Sequence, residues 1–198
     1  VSLRNRPEVF NEPLMFAAIA LKDSPRLARV LEGQVPPWKL FGSPGTGNGA
    51  GGNTFGLPRF KEASFEARFP FGVVSLSEPQ HPIKASVTSW SPFEPGDADN
   101  SSLPVAALEY HFTNRGTAPV DAVFSFNARN FMRVGQNDMA VRPIKGGFIL
   151  WSGPGKDKPW EEGAFCATVS DPAVKVNHAW FRGGWFDPLT MTWNEIAS

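Results

Sequence analysis

Apolar and polar residues alternate with a period of two in several short segments of this chain. The segment 106–112 is apolar at every even-numbered position, and the segment 64–69 is apolar at Phe65, Ala67 and Phe69. Such alternation is typical of a β-strand that buries one face. We therefore predict strands in both segments, with the three apolar side chains of the earlier one directed inward.

Short apolar runs bounded by glycine and proline predict further strands along most of the chain. These predicted strands cover residues 14–21, 27–31, 71–76, 83–89, 120–126, 140–144, 148–151, 165–169 and 174–180. The first of them has a helix as its alternative, because Leu, Met and Ala favour helices. The turn at 114–119 predicts that the strands on either side of it form an antiparallel hairpin.

Only the end of the chain has a helical pattern. Asp187 is a suitable N-cap, Pro188 suits the first helical position, and residues 189–196 can follow. Because strands are predicted elsewhere, we predict an all-β fold. Its form would be a large antiparallel, two-sheet, supersandwich-like β-sandwich with a short C-terminal helix.

A long loop rich in turn-forming residues separates the predicted strands 83–89 and 106–112. Pro92, Pro95 and Pro104 each fix φ, and the polar residues from 97 to 102 can bond to nearby backbone. Long ordered loops on a β scaffold carry function or pack against another part of the protein. We expect one of these two roles for this loop.

Composition and charge exclude several classes of protein. The 19 Lys and Arg residues balance the 19 Asp and Glu residues without any block of like charge. Nucleic acid is therefore not expected as a partner, because phosphate binding needs a concentrated basic face. No apolar run approaches the roughly 20 residues of a transmembrane helix. The single Cys166 excludes an internal disulfide, and its apolar neighbours predict a buried thiol.

The carboxylates of the long loop could bind a hard cation, or act as an acid and a base. The spacing Asp97-x-Asp99-x-Ser101 resembles the start of a calcium-binding loop. Ser102 and Leu108, however, stand where such a loop has its glycine and its bidentate glutamate. We therefore favour the interpretation in which these side chains cap turns, and we predict no metal site and no cofactor.

Aromatic side chains offer a second kind of candidate chemistry. Trp90 and Trp160 border proline-rich loops rather than continuous strands, so they are candidate platforms for the C–H faces of sugars. Core packing is the alternative for each of them. The histidines His81, His111 and His178 lack the spacing of a metal-binding pair.

A glycine-rich segment, 42–52, fits the dinucleotide-binding pattern at Gly47, Gly49 and Gly52. That pattern needs a strand before it and a helix after it, and residues 53–58 cannot begin a helix. The lysine of a P-loop is also absent. We interpret this segment as a surface loop.

The long loop and its flanks together resemble a known family. The segment from Trp90 to Val105, with its Trp-Ser-Pro-Phe beginning and its Ser-Ser-Leu-Pro end, resembles the N-terminal domain of glycoside hydrolase family 116. That family contains β-glucosidases and non-lysosomal bile-acid type glucosylceramidases. Segments 60–74 and 124–131 resemble the family's strands before and after this loop, so the resemblance covers most of the chain.

The resemblance implies a β-sandwich domain that packs on a helical catalytic domain of a retaining β-glucosidase in the same polypeptide. We expect residues 1–186 to form the sandwich, with part of the N-terminal strand region missing, and 187–198 to begin the connection. The family's glutamate nucleophile and its aspartate acid/base belong to the helical domain. No catalytic residue is therefore assigned to this chain.

A β-glucoside is the expected carbohydrate partner. The candidate substrate-binding residues are Trp90, Asp97, Asp99 and Asn100. The alternative function is a self-standing carbohydrate-binding or scaffold module. A third possibility, hydrolysis by this chain alone, requires two facing carboxylates about 5 Å apart. The clustered candidates for such a pair are Glu94, Asp97, Asp99, Glu161 and Glu162.

Overall fold

A computed structural model describes residues 15–34, 57–179 and 188–198. These residues contain eleven strands and two α-helices. The strands are β1 (Met15–Leu21), β2 (Arg29–Gly33), β3 (Arg59–Phe60), β4 (Glu62–Arg68), β5 (Phe71–Ser77), β6 (Ile83–Trp90), β7 (Ala107–Asn114), β8 (Ala122–Ala128), β9 (Met139–Ile144), β10 (Gly147–Ser152) and β11 (Gly163–Thr168). The helices are α1 (Ala98–Ser101) and α2 (Pro188–Ala197). The glycine-rich segment 42–52, the extreme N-terminal segment and the proposed cap Asp187 lie outside the described residues.

The described residues divide into two compact units. The first, which we call the sandwich unit, contains residues 18–34 and 57–125. Within it β4, β5, β6 and β7 follow one another as an antiparallel four-stranded sheet, the meander sheet. A second sheet has the order β3-β2-β1-β8, in which β2 pairs antiparallel with β1 and parallel with β3. The fold is therefore all-β and sandwich-like, as the sequence predicts.

The second unit contains residues 15–17, 126–179 and most of α2. Its strands β9, β10 and β11 form an antiparallel sheet with β10 in the centre. Leu150 and Ser152 on β10 are almost fully buried, and Phe131 contacts Phe165 of β11 with ring centroids 4.9 Å apart. This sheet therefore buries one of its faces within its own unit.

The two sheets of the sandwich unit pack through the inner face of the meander sheet. Residues paired across antiparallel strands point to the same side, and one such row contains Leu76 and Ala85, which are both buried, beside Phe112. The ring of Phe124, on β8, lies 4.8 Å from that of Tyr110 and 5.9 Å from that of Phe112. Burial raises the pKa of Tyr110, with a smaller contribution from the carboxylate of Glu32.

Buried polar groups also connect the two sheets. Arg29 on β2 donates from Nε to Oε2 of Glu78 at 3.0 Å and from a terminal nitrogen to Oε1 at 3.2 Å. This bidentate bond, opposed by burial and reinforced by Lys61, holds the pKa of Glu78 below its usual value of 4.5. His81 is 2% exposed, and its Nδ1 accepts from the Ile83 N–H while Nε2 donates to the Leu27 carbonyl. His81 is thus a fully bonded core residue.

Most of the predicted strands are confirmed, and residues 14–21 form a strand rather than a helix over Met15–Leu21. The predicted hairpin around 114–119 is wrong, because β7 pairs with β6 whereas β8 joins the other sheet beside β1. The backbones of β7 and β8 lie in different sheets. The two strands contact each other through aromatic side chains, those of Tyr110 and Phe112 on β7 and Phe124 on β8.

The predicted strand 174–180 is also wrong over its described residues, 174–179. Two local turns compete with extended pairing there. The Ala173 N–H donates to the Asp171 carboxylate at 2.8 Å, and the Ala179 N–H donates to the Asn177 side chain at 3.2 Å. Such side-chain bonds to nearby backbone favour turns over strands.

Three expectations about burial are corrected. Phe65 and Ala67 share the inner face with Leu76 but are exposed, Phe65 by 68%, because β4 is the edge strand of its sheet. Phe69 lies beyond the end of β4 and is 78% exposed. Cys166 is exposed because β11 is an edge strand and places it on the side opposite to the buried face.

Candidate functional site

The outer face of the meander sheet carries an ordered set of polar and aromatic side chains. Strand register places these residues in three rows that cross β4, β5, β6 and β7. The rows are Ser64–Ser75–Ser86–His111, Glu66–Val73–Thr88–Glu109 and Arg68–Phe71–Trp90–Ala107. Among these three rows, the carboxylates therefore lie between a row of hydroxyls and a row of aromatic rings.

The aromatic end of the outer face is open to solvent. Phe71 and Trp90 are paired across β5 and β6, with ring centroids 6.5 Å apart and planes inclined by 60°. They are 45% and 40% exposed. Phe69 and Phe93 form a second, edge-to-face pair with centroids 4.7 Å apart. Trp90 is thus part of an exposed aromatic surface rather than of the core.

A groove of about 470 Å³ runs over this part of the sheet. It is lined by Glu66, Arg68, Phe69, Phe71, Val73 and Thr88. An apolar surface with a few convergent polar groups is the usual composition of a small-molecule site. The groove therefore combines an aromatic wall with hydrogen-bonding groups of both kinds.

The charged groups around the groove are available to a ligand. Within the described part of the chain, the side chains of Glu66, Arg68 and Glu109 have neither a hydrogen bond nor an ion pair, and all three residues are exposed. The indole N–H of Trp90 also has no acceptor among the described residues. Two acceptors and two donors on one face thus point away from the protein's own hydrogen-bond network.

The long loop, 91–106, is organised by its own side chains. Asp97 is the N-cap of α1, and its Oδ1 accepts from the backbone N–H of Asn100 at 2.9 Å. The hydroxyl of Ser101 accepts from the Glu94 N–H at 3.0 Å and donates to the Glu94 carbonyl at 3.1 Å. These bonds match the turn-capping interpretation, although the helix itself was not predicted.

Asp97 and Asn100 are hydrogen-bonded to each other. The backbone N–H of Asn100 and then its side-chain amide stabilise the ionised carboxyl, which lowers the pKa of Asp97. The backbone carbonyl of Asp99 accepts from the Ser102 hydroxyl at 3.1 Å. The polar groups of this loop therefore act first on its own backbone.

The structure separates the four sequence-predicted site residues into two groups. Trp90 lies on the outer face, paired with the groove residue Phe71, whereas Asp97, Asp99 and Asn100 lie on the exposed loop. None of the four lines the groove itself. Their contact with substrate stays a prediction.

Trp160 and Trp151, in the second unit, have different surroundings. Trp160 is 72% exposed on the short 3₁₀ turn Pro159–Glu161. Its neighbours Glu161 and Glu162 are already bonded, to the Asn137 amide at 2.9 Å and to the indole N–H of Trp151 at 3.0 Å. The guanidinium of Arg142 lies 4.6 Å from the Trp151 ring centre. These tryptophans therefore lack the free carboxylates that flank Trp90.

Sequence reasoning missed the partners of Trp90 on the outer face. Phe71, Glu66, Thr88 and Glu109 come from four different strands, and only the register brings them together. The sequence does show polar residues at alternate positions of each strand, which predicts an outward-facing polar side. Combining these residues into one site requires knowing which strands are neighbours and how they are aligned.

No cluster of three or more His, Cys, Asp or Glu side chains suited to a metal ion occurs among the described residues. In the same part of the chain, no helix is long and apolar enough to cross a membrane.

An all-β sandwich-like fold with an exposed aromatic and polar sheet face defines the class of this protein. A family model described as beta-glucosidase 2, glycosyl-hydrolase family 116 N-term, matches residues 10–164. The chain belongs to this family, which confirms the resemblance drawn from its long loop. No curated protein matched the chain.

Proposed function

We propose that this chain is the non-catalytic N-terminal β-sandwich domain of a retaining β-glucosidase or glucosylceramidase-like glycoside hydrolase. It packs on a helical catalytic domain of the same polypeptide and helps to shape the cleft of that domain. The observation that carries this proposal is the family match over residues 10–164. Residues 1–186 form the sandwich region in this proposal, and 187–198, which contain α2, begin the connection.

Uncovered apolar surface supports the packing part of the proposal. Phe65 and Leu108 face the inner side from the two edge strands of the meander sheet, β4 and β7, and are 68% and 44% exposed. Val105, just before β7, is 56% exposed. We call these three residues the apolar rim of the inner face. Large exposed apolar patches mark surfaces that associate with a partner. A helical domain seated there would remove these side chains from water.

Three of the five clustered carboxylates are engaged in bonds within the protein, which supports the non-catalytic part. Asp97 caps α1, while Glu161 and Glu162 bind the Asn137 amide and the Trp151 indole. Asp97 lies in the sandwich unit and the two glutamates lie in the second unit. Each of these groups thus has a structural role of its own.

The test is hydrolysis of a chromogenic β-glucoside by the purified chain, first alone and then mixed with a separately expressed C-terminal part of the same gene. We expect no hydrolysis by the chain alone and hydrolysis on mixing. Hydrolysis by the chain alone would overturn the non-catalytic assignment. Full activity of the C-terminal part without this chain would overturn the supporting role.

A double variant, Phe65→Ser with Leu108→Ser, tests the docking surface. We expect it to weaken reconstitution because it makes the apolar rim more polar. Met139→Ser is the matched control, since Met139 is 55% exposed but lies in the second unit. Equal reconstitution by the double variant and the control would exclude the apolar rim as the docking surface.

The outer face favours a second candidate function, a carbohydrate-binding module. Its groove, its exposed aromatic pair and its unpaired carboxylates would be useful to a module that holds sugar without cleaving it. The two functions are compatible, since they use opposite faces of the meander sheet.

A further inference from the structure

We propose that the outer face of the meander sheet binds a β-linked gluco-oligosaccharide in its groove and across the adjoining residues Trp90 and Glu109. Phe71 and Trp90 stack on the sugar rings, and the carboxylates of Glu66 and Glu109 accept hydrogen bonds from sugar hydroxyls. The choice of glucose rests on the proposed function, whereas the presence of a sugar site rests on the outer face alone.

The aromatic end supplies the apolar contact that a sugar requires. A β-glucopyranose ring has equatorial substituents, so both of its faces expose C–H groups that pack on aromatic rings. Phe71 and Trp90 are each about half exposed, and their planes are inclined by 60°. Two inclined rings on neighbouring strands suit successive units of a twisted chain better than one flat monosaccharide.

The middle row supplies the polar contacts. Ionised carboxylates are acceptors only, and they form the strongest hydrogen bonds with hydroxyl donors. Glu66 and Glu109 end the row that also contains Val73 and Thr88. Three inter-strand spacings separate its ends, roughly 14 Å. The row therefore matches an oligosaccharide of several units, with Arg68 as a further donor beside the rings.

The free charges favour a glycan over a protein as the occupant. Glu66, Glu109 and Arg68 have no partner among the described residues. A protein surface that covered them without pairing them would have to remove them from water, which is costly for each charge. Sugar hydroxyls donate and accept in many directions, so they can satisfy the same groups without matching charges.

The surroundings of Trp160 show why exposure alone does not define such a site. Trp160 is more exposed than Trp90, at 72% against 40%. The carboxylates beside it are already bonded to Asn137 and Trp151. Trp160 is therefore the natural control for a tryptophan that is accessible but lacks free polar partners.

The experiment is calorimetric titration of the 198-residue chain with cellotetraose. We expect saturable one-site binding with a dissociation constant on the order of 0.1–1 mM. Trp90→Ala should weaken binding by at least about tenfold. Trp160→Ala, the matched control, should bind as the unmodified chain does.

A second variant protects the test against misfolding of Trp90→Ala. Glu109→Gln keeps the size of an exposed side chain and removes its charge, and we expect binding about three- to tenfold weaker. Absence of binding to the unmodified chain would overturn the proposal, as would equal losses in the Trp90 and Trp160 variants. Hydrolysis on mixing without cellotetraose binding would reject this site and leave the proposed function intact. Cellotetraose binding without hydrolysis on mixing would support this site and reject the proposed function.

Discussion

The two faces of the meander sheet are built from the same four strands but have opposite characters. On the inner face, Leu76 and Ala85 are almost fully buried. On the outer face, Glu66, Thr88 and Glu109 share a row that is open to solvent. Every second residue of a strand faces the same way, so one stretch of sequence specifies a core and a recognition surface at once.

The comparison also shows where the inner face stops being a core. Leu76 is buried, whereas Phe65, in the next row of the same face and on the edge strand β4, is 68% exposed. The chemistry of the two side chains is equally apolar. The two side chains differ because other residues pack over Leu76 but not over Phe65. Covered residues such as Leu76 stabilise this fold, whereas uncovered ones such as Phe65 are available to a partner.

The largest expected effect comes from the buried end of the inner face. Leu76→Ala should lower the free energy of unfolding by about 2–5 kcal/mol, because it removes apolar contacts and leaves a cavity. The matched control is Ser75→Ala. Ser75 directly precedes Leu76 and faces the outer side, so this change should alter the free energy of unfolding by less than about 0.5 kcal/mol. Urea denaturation measures both. Similar values for the two variants would contradict the division between the faces.

The second effect concerns the ion pair between the sheets. Glu78→Gln should destabilise the fold by about 1–3 kcal/mol at neutral pH, because it weakens a charge-assisted bond to Arg29 in a buried setting. The folded-state pKa of Glu78 is lowered, so its contribution is present above the unfolded pKa and is lost as pH falls through the folded one.

Unfolding of the unmodified chain and of Glu78→Gln, followed from pH 7 to below pH 4.5, checks this dependence. The difference between the two proteins should shrink as the solution becomes more acidic. A difference that stays constant with pH would show that the carboxylate charge is not what stabilises the contact.

The third effect sharpens the contrast within the inner face. We expect the isolated chain to self-associate through its exposed apolar surface. Phe65→Ser should reduce this association, because it makes part of the apolar rim polar. Its stability should change little, since Phe65 is mostly in water already. Sedimentation velocity at several concentrations compares it with Met139→Ser. Monomeric behaviour of the unmodified chain at high concentration would refute the expected association.

The smallest effect is expected in the long loop. Asp97→Ala removes the cap of α1 and its bonds to Asn100. We expect faster amide exchange at residues 98–101 with no measurable change in the thermal midpoint, because the segment is exposed and separate from the core. A clear shift of the midpoint would mean that the loop supports the sandwich.

Local sequence patterns predicted most of the strands because alternation and turn residues act over a few positions. The all-β class, the strands β4 to β7 and the capping role of Asp97 all follow from such short-range signals. The failures have longer-range causes. The exposure of Cys166 depends on its place at a sheet edge, and the hairpin at 114–119 failed because β8 pairs with β1, about a hundred residues earlier.

The candidate site divides in the same way. Trp90 could be proposed from its position beside a proline-rich loop, which is a local feature. Glu66, Phe71 and Glu109 could not, because each looks like an ordinary outward-facing residue of its own strand. Only their alignment across the sheet places them on one face with Trp90.

Residue types and their local order are enough to predict the family, the strand content and the balance of charge. The tertiary structure decided which apolar residues are covered and which polar residues share a face. Both depend on strand order and register, which bring residues from distant parts of the chain within contact distance. The outer face around Trp90 exists for that reason, and no single segment of the chain contains it.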